Sequence, residues 1–299
     1  MASTGETITR LADKLSEPTE RVIVIVGAGA SHAAAGLPLG KELAASLVQL
    51  LDCASGEGQR QLADLLSFMN RQYGFDTDDF KTILFSLNRI NGDLLKQHVQ
   101  QALQKESGYN YAYAQIATLL KKRKIRGAIN FNFDELLDRQ MRQVFGGEEE
   151  YRYIYSDLTC PADLAEMPVE HREWLPVYCK PHGTISHPET LRFTRTDFYR
   201  IQPLQRQLLE RMFTGDPVTL VVIGFRLKFY EFSTIISESL APGSEIFIID
   251  REEGILDASL QRYYSGGFLR VTETASLDSL MRQLAAAVER AEAQPAGIV

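Results

Sequence analysis

Two short runs hold the groups best suited to proton transfer beside a polar ligand: Asn130-Phe131-Asn132-Phe133-Asp134 and Lys180-Pro181-His182-Gly183. Imidazole has an unperturbed pKa of about 6.5, which suits it to take or give a proton near neutrality. A loop histidine also has an ordinary structural reading, and His182 gains weight because it follows a predicted strand. Asp134 has a bland role open to it as well, capping the helix that starts at Glu135-Leu136-Leu137, and it can orient Asn132 at the same time. A third run, Gly27-Ala28-Gly29-Ala30-Ser31, follows an apolar strand. Glycines there let the backbone turn sharply and approach a pyrophosphate, although the spacing departs from GxGxxG and a turn without ligand is the plain alternative. Gly224 and Asp250 each end a later strand, where a glycine allows close approach and an acid can accept ribose hydroxyls. Either can also be a simple strand terminus. His32, His98, His171 and His187 sit in weaker contexts, with His32 the open case because it follows the glycine run.

These groups are separated in sequence, so elements must gather them. Residues 21–26, Arg-Val-Ile-Val-Ile-Val, form the continuous β-branched run of a buried parallel strand. A helix is expected to begin near Pro38 or Gly40. Apolar residues at helical spacing over 57–107 (Leu62, Leu65, Leu66, Met69, Ile83, Leu84, Leu87, Leu94, Leu95, Val99) predict a helical insertion over one end of the sheet. Strands are predicted at 125–131, 151–155, 177–180, 218–224, 245–250 and 268–271. Helices are predicted at 111–120, 134–144 and 197–213, with a closing amphipathic helix through Leu277, Leu280, Met281, Leu284 and Val288. Alternating β and α units imply an α/β fold: a Rossmann-like, mostly parallel sheet with helices on both faces. The whole chain, 1–299, reads as one such domain carrying the insertion. Ligands of such sheets sit at the carboxyl ends of the strands, where the strand order reverses.

Composition narrows the function classes. Of 299 residues, 44% are apolar and 24% charged, the balance of a soluble globular protein. The N-terminal stretch lacks a hydrophobic signal core and no apolar run is long enough to span a bilayer, so no membrane association and a cytoplasmic location are expected. A net charge of -7 supplies no field for nucleic acid. The one basic cluster, Lys121 to Arg126, reads as a solvated helix end. Three cysteines far apart, Cys53, Cys160 and Cys179, do not make the paired ligand clusters of a structural zinc, so no metal is expected.

Taken together, GAGAS at 27–31, GLP at 36–38, NFD at 132–134, KPHG at 180–183, Gly224 and Asp250 resemble the sirtuin-like NAD-binding group, in the same order and over nearly all of the chain outside 57–107. The resemblance implies that Asn132 and His182 are catalytic, with Asn132 beside the nicotinamide ribose. It implies that Gly27, Ala28, Gly29, Ala30 and Ser31 line the diphosphate and that Asp134 supports the nicotinamide end. Gly183 and Gly224 would then contact the cofactor, and Asp250 the adenosine ribose.

The departures from deacetylating sirtuins matter as well. The zinc-module cysteine pairs are absent, and Pro38-Leu39-Gly40-Lys41 replaces the family's proline-aspartate-phenylalanine-arginine stretch. Arg226 and Lys228 stand where relatives carry a small hydroxyl residue and an acid. The pattern is similar to the sirtuin-like NADases of bacterial anti-phage defence. It implies an NAD hydrolase releasing nicotinamide and ADP-ribose, with NAD as substrate, control by assembly into a homo-oligomer, and a partner such as a hexameric DNA-translocating ATPase. Two rival readings are an NAD-dependent deacylase or ADP-ribosyltransferase, which needs an acceptor groove, and a nucleotide-sensing assembly subunit without turnover.

Overall fold

The computed structural model describes residues 3–54, 56–74, 76–77, 80–104, 110–147, 150–160, 175–192, 201–227, 230–253 and 256–293; at 50–54, 80–81 and 230–231 it describes the backbone only. His171 and Lys228 lie outside the described residues, as does the side chain of Cys53.

Among the described residues seven strands form one sheet in the order β3-β4-β2-β1-β5-β6-β7. They are β1 (Arg21–Val26), β2 (Gly127–Asn130), β3 (Arg152–Ile154), β4 (Val177–Cys179), β5 (Val218–Ile223), β6 (Glu245–Asp250) and β7 (Gly267–Arg270). Every neighbouring pair is parallel. All six residues of β1 and all six of β5 are buried. Because successive side chains point to opposite faces, both faces of the sheet centre are covered.

Among the described residues ten α-helices flank the strands: α1 (Thr4–Ser16), α2 (Ala28–Ala35), α3 (Gly40–Ala54), α4 (Gly56–Tyr73), α5 (Phe80–Leu103), α6 (Tyr111–Lys121), α7 (Leu136–Phe145), α8 (Pro203–Phe213), α9 (Tyr230–Ser239) and α10 (Leu277–Ala293). Helix α1 opens on a capping box in which the Ser3 hydroxyl accepts the Glu6 N–H and the Glu6 carboxylate accepts the Ser3 N–H. It packs on α10, which also packs on α6, and α6 on α7; α8 and α9 form a separate packed pair. Helices α3, α4 and α5 pack against one another. Helix α5 is interrupted at Asn91 (φ -156, ψ 88), whose side-chain oxygen caps the following turn by accepting the Leu94 N–H. From the second half of α5, Gln100 donates to the carbonyl of Ile185, 2.8 Å away, in the loop after β4.

One expectation needs correction. A helix does begin at Gly40, as expected near Pro38 or Gly40, but the glycine run before it is not a turn outside any helix. Helix α2 begins at Ala28, directly after β1, with Gly27 as its N-cap and Gly36 (φ 63) as its left-handed C-cap. The sequence Ala-Gly-Ala-Ser-His-Ala-Ala-Ala is mostly alanine, the strongest helix former, and this outweighs the single internal glycine. The His32 ring, its Nδ1 2.9 Å from the Leu37 carbonyl, holds the loop that leads on to α3. The predicted strands and the other predicted helices lie within a few residues of expectation, while α1 and α9 are elements the sequence analysis did not predict. The helix predicted from 197 starts at Pro203 among the described residues, and 193–200 lie outside them.

The basic cluster is a helix end tied into the protein: Lys121 donates to the Val144 carbonyl and Lys124 pairs with Glu292 at 2.6 Å. Cys160 and Cys179 are buried thiols, and burial raises the Cys160 pKa to about 11. Among the described residues no helix is long and apolar enough to cross a membrane, and no group of three or more His, Cys, Asp or Glu side chains could hold a metal ion.

Candidate functional site

Strand order reverses at β1, which pairs with β2 on one side and β5 on the other. In register, Val26 lies opposite both Asn130 and Ile223, so the residues that follow emerge at one level of the sheet's carboxyl edge. These are Gly27, Phe131 and Gly224. The ladder continues past the strand ends: Gly27 N–H donates to Ile223 O, Phe131 N–H to Val26 O and Gly224 N–H to Ile249 O.

Three of the glycines are demanded by close packing. Gly224 has φ 58, and a Cβ there would lie 2.1 Å from the Ala30 nitrogen. A Cβ on Gly27 would lie 2.6 Å from the Gly224 carbonyl oxygen and 2.7 Å from Phe225. The first turn of α2 and the exit of β5 thus meet backbone to backbone, sealed by the Gly29 N–H donating to Gly224 O at 2.9 Å. Gly183 (φ 82) is glycine for a different reason, since a Cβ there would fall 2.3 Å from Thr190 O within its own loop. That packing accounts for the residue without any ligand.

Asn132 is buried, and its side-chain N–H groups donate to Gly27 O (3.0 Å) and to the Ser31 hydroxyl (2.8 Å). Ser31 donates its one proton to Asp134 Oδ2 at 2.7 Å, so the contact with the Tyr113 hydroxyl, also 2.8 Å from Ser31, is donated by the phenol. Tyr113 is positioned because Asn110 caps α6, accepting the Tyr113 N–H. Burial raises the Tyr113 pKa well above its ordinary value, which keeps the phenol protonated as a donor. Asp134 lies one residue before Glu135, the N-cap of α7: its Oδ1 accepts the Leu136 N–H, and its Oδ2 holds Ser31, which in turn holds Asn132. Burial pushes the Asp134 pKa up, against the opposing pull of the Lys180 charge and the Ser31 hydrogen bond.

His182 lies at the exit of β4, the neighbour of β2. It is buried, with its ring edge-on to Phe131 (4.9 Å between centroids) and tilted against Phe133 (6.2 Å), the two residues flanking Asn132. Phe131 stacks in turn on Phe225, 4.4 Å away at 12°. An aromatic row therefore runs from the glycine turn to the histidine. The loops are joined directly as well, by Ile185 N–H donating to Phe133 O.

Beneath these loops lies a buried polar circuit. Lys180 donates to Asp134 O (2.6 Å), Asp138 Oδ2 (3.0 Å) and Thr184 Oγ1 (3.1 Å). Asp138 also accepts from the phenols of Tyr178 and Tyr153. Tyr178 accepts from the Asn130 amide, whose oxygen accepts the backbone N–H of Asn132.

The structure thus brings Gly27, Ala28, Gly29, Ala30, Ser31, Asn132, Asp134, His182 and Gly224 to one rim. Asp250 ends β6 on the same edge but beyond β5, where its Oδ1 accepts the Arg251 and Glu252 N–H groups. Arg226 is exposed there and pairs with Glu252 at 2.8 Å. Sequence reasoning gave no role to Tyr113, Asp138, Tyr178 and Phe225, nor to Lys180, which it quoted only as part of the run holding His182. One signal was available: Tyr178 and Lys180 are two apart on a strand, and Asp134 and Asp138 four apart entering a helix, spacings that share a face.

The SIR2-like domain family model matches residues 126–266. No curated protein matches the chain. Among solved structures, a chain described under "Structural Basis for the Mechanism and Regulation of Sir2 Enzymes" is 14% identical, with 97% of this chain and 100% of that one covered and a TM-score of 0.49. Sir2Af2 bound to a myristoylated histone peptide is also 14% identical, with 95% and 97% covered and a TM-score of 0.46. The stretch that the SIR2-like domain model matches carries Asn132, Asp134, His182, Gly224 and Asp250.

Proposed function

We propose that the protein cleaves the nicotinamide–ribose bond of NAD with water, giving nicotinamide and ADP-ribose. The observation that carries this reading is the convergence of Asn132, its Ser31–Asp134 support and His182 beside a helix end that abuts Gly224. The amino end of α2 suits a diphosphate through its partial positive charge. Gly29 has committed its N–H to Gly224, so the phosphates would meet this end at the exposed Ala28.

The pyridinium leaves as a neutral ring, and positive charge gathers on the ribose in the transition state. Both side-chain N–H groups of Asn132 are engaged, so it would hold a ribose hydroxyl or the water through its carbonyl oxygen, or by exchanging one of those bonds. His182 would take the proton as water adds to the anomeric carbon. Help of this kind is worth roughly 10²–10⁴-fold. A carboxylate near the sugar, Asp134, stabilises the developing charge when ionised. Free-running cleavage would drain cellular NAD, so this reading includes control by self-association or a partner, and a role in anti-phage defence through NAD depletion.

The test is incubation with NAD over a range of protein concentrations, with products resolved by mass spectrometry. Equal amounts of nicotinamide and ADP-ribose are expected, falling about 10²-fold or more in Asn132→Ala and His182→Ala. Wild-type release by both variants would overturn the assignment. O-acyl-ADP-ribose formed with an acyl-peptide would replace it by a transferase, and NAD bound but uncleaved at every concentration by a sensor.

A further inference from the structure

We infer that Lys180 and Asp138 act as a positioning clamp, a buried ion pair that locks the loop bearing Asn132 to the loop bearing His182; this rests on the NAD-cleavage reading. The Lys180 and Asp138 side chains are 0% and 1% exposed, so neither reaches a ligand on the rim, and any effect on chemistry must pass through other residues.

An ammonium has three N–H donors, and Lys180 gives each to a different place. One goes to the carbonyl of Asp134, two residues past Asn132, and one to the hydroxyl of Thr184, two residues past His182. The third goes to Asp138 in the first turn of α7. From Asp138 the circuit returns through Tyr178 and the Asn130 amide to the backbone N–H of Asn132. Every bond in it is directional, and the two ends of the circuit are the two loops that hold the reacting groups.

Stability alone gives little reason for such an arrangement. Desolvating two opposite charges offsets much of their attraction, and well-packed apolar residues of similar size commonly hold a fold together as well or better. What the pair supplies in addition is fixed geometry. A displacement of about 1 Å at reacting groups, transmitted from a distant substitution, costs on the order of 10²-fold in rate.

The experiment compares the wild type with Lys180→Met, Asp138→Asn and Tyr178→Phe. The last removes one hydroxyl from the circuit and leaves both charges in place, so it covers the case in which the charge variants fail to fold. Nicotinamide release is followed at temperatures where circular dichroism shows a folded chain, alongside hydrogen exchange of peptides spanning 130–136 and 180–186. The clamp predicts a fall in kcat of roughly 10–10²-fold for the charge variants and a smaller fall for Tyr178→Phe, with KM for NAD nearly unchanged. It also predicts faster exchange in both loops together and unchanged exchange in β5 and β6. A folded variant with wild-type kcat, or with only KM raised, overturns it. If the wild type releases no nicotinamide, the NAD reading fails, and exchange still decides the geometry: coordinated opening of both loops supports the clamp, and opening of one alone contradicts it.

Discussion

The two sides of the carboxyl rim are built differently. On the β2–β4 side, Asn132, Asp134, His182, Lys180 and Asp138 are all buried, and the polar groups lock one another in place. On the β5–β6 side, Arg226 and Glu252 are both 69% exposed and pair directly at the surface, and Asp250 caps a simple turn. The first side is pre-organised in a low dielectric, where a misplaced hydrogen bond is costly. The second is solvated, and its side chains are free to re-pair around a ligand. A dinucleotide laid along this edge would have its bond-breaking end on the rigid side and its adenosine on the adaptable one.

If that contrast holds, damage should be graded across the rim. Asp138→Ala leaves Lys180 buried without its counter-charge and should destabilise the fold by about 3–5 kcal/mol in urea titration. A loss below about 1 kcal/mol would mean that water reaches the circuit. Ser31→Ala removes the hydroxyl shared by Asn132, Asp134 and Tyr113. It should cost about 1–3 kcal/mol, because three buried polar groups lose one common partner. On the open side, Arg226→Ala should change stability by less than about 1 kcal/mol and by less still in high salt. An effect as large as that of Ser31→Ala would erase the distinction between the two sides.

Asp134 gives a pH test with a definite sign. Burial raises its folded pKa above the ordinary 3.8, so the native state holds this proton more tightly than the unfolded chain does. Its contribution to stability is then complete below the unfolded pKa and is lost as pH rises through the folded value. Asp134→Asn removes the titration, so the stability of the variant relative to wild type should improve as pH rises from below the ordinary 3.8 through the raised folded value. A relative stability that is flat with pH would place the carboxylate in a better-solvated setting.

Much of this architecture was legible in the sequence. Strands β1, β5 and β6 are continuous apolar runs because both faces of a central parallel strand are covered, and that composition has few other uses. The residues at strand exits follow from the fold, which is why Gly27, Asn132, His182, Gly224 and Asp250 became candidates by reading what comes after each strand. Helix α2 was not legible, because Gly27-Ala28-Gly29 reads as a turn until one sees that only Gly27 lies outside the helix. The Lys180–Asp138 circuit was hidden for another reason. Lysine and aspartate are ordinarily surface residues, and nothing local to either marks it as fully buried. Only the crossing of β4 with the entry to α7 brings them together.

The most direct test of the account is a crystal structure of the protein with NAD or ADP-ribose. The account predicts the diphosphate at the amino end of α2 beside Gly224, the nicotinamide-side ribose between Asn132 and His182, and the adenosine toward Asp250. A ligand seated at the opposite end of the sheet, in the groove lined by Glu238, Glu245 and Arg262, or one whose ribose meets neither Asn132 nor His182, would contradict it.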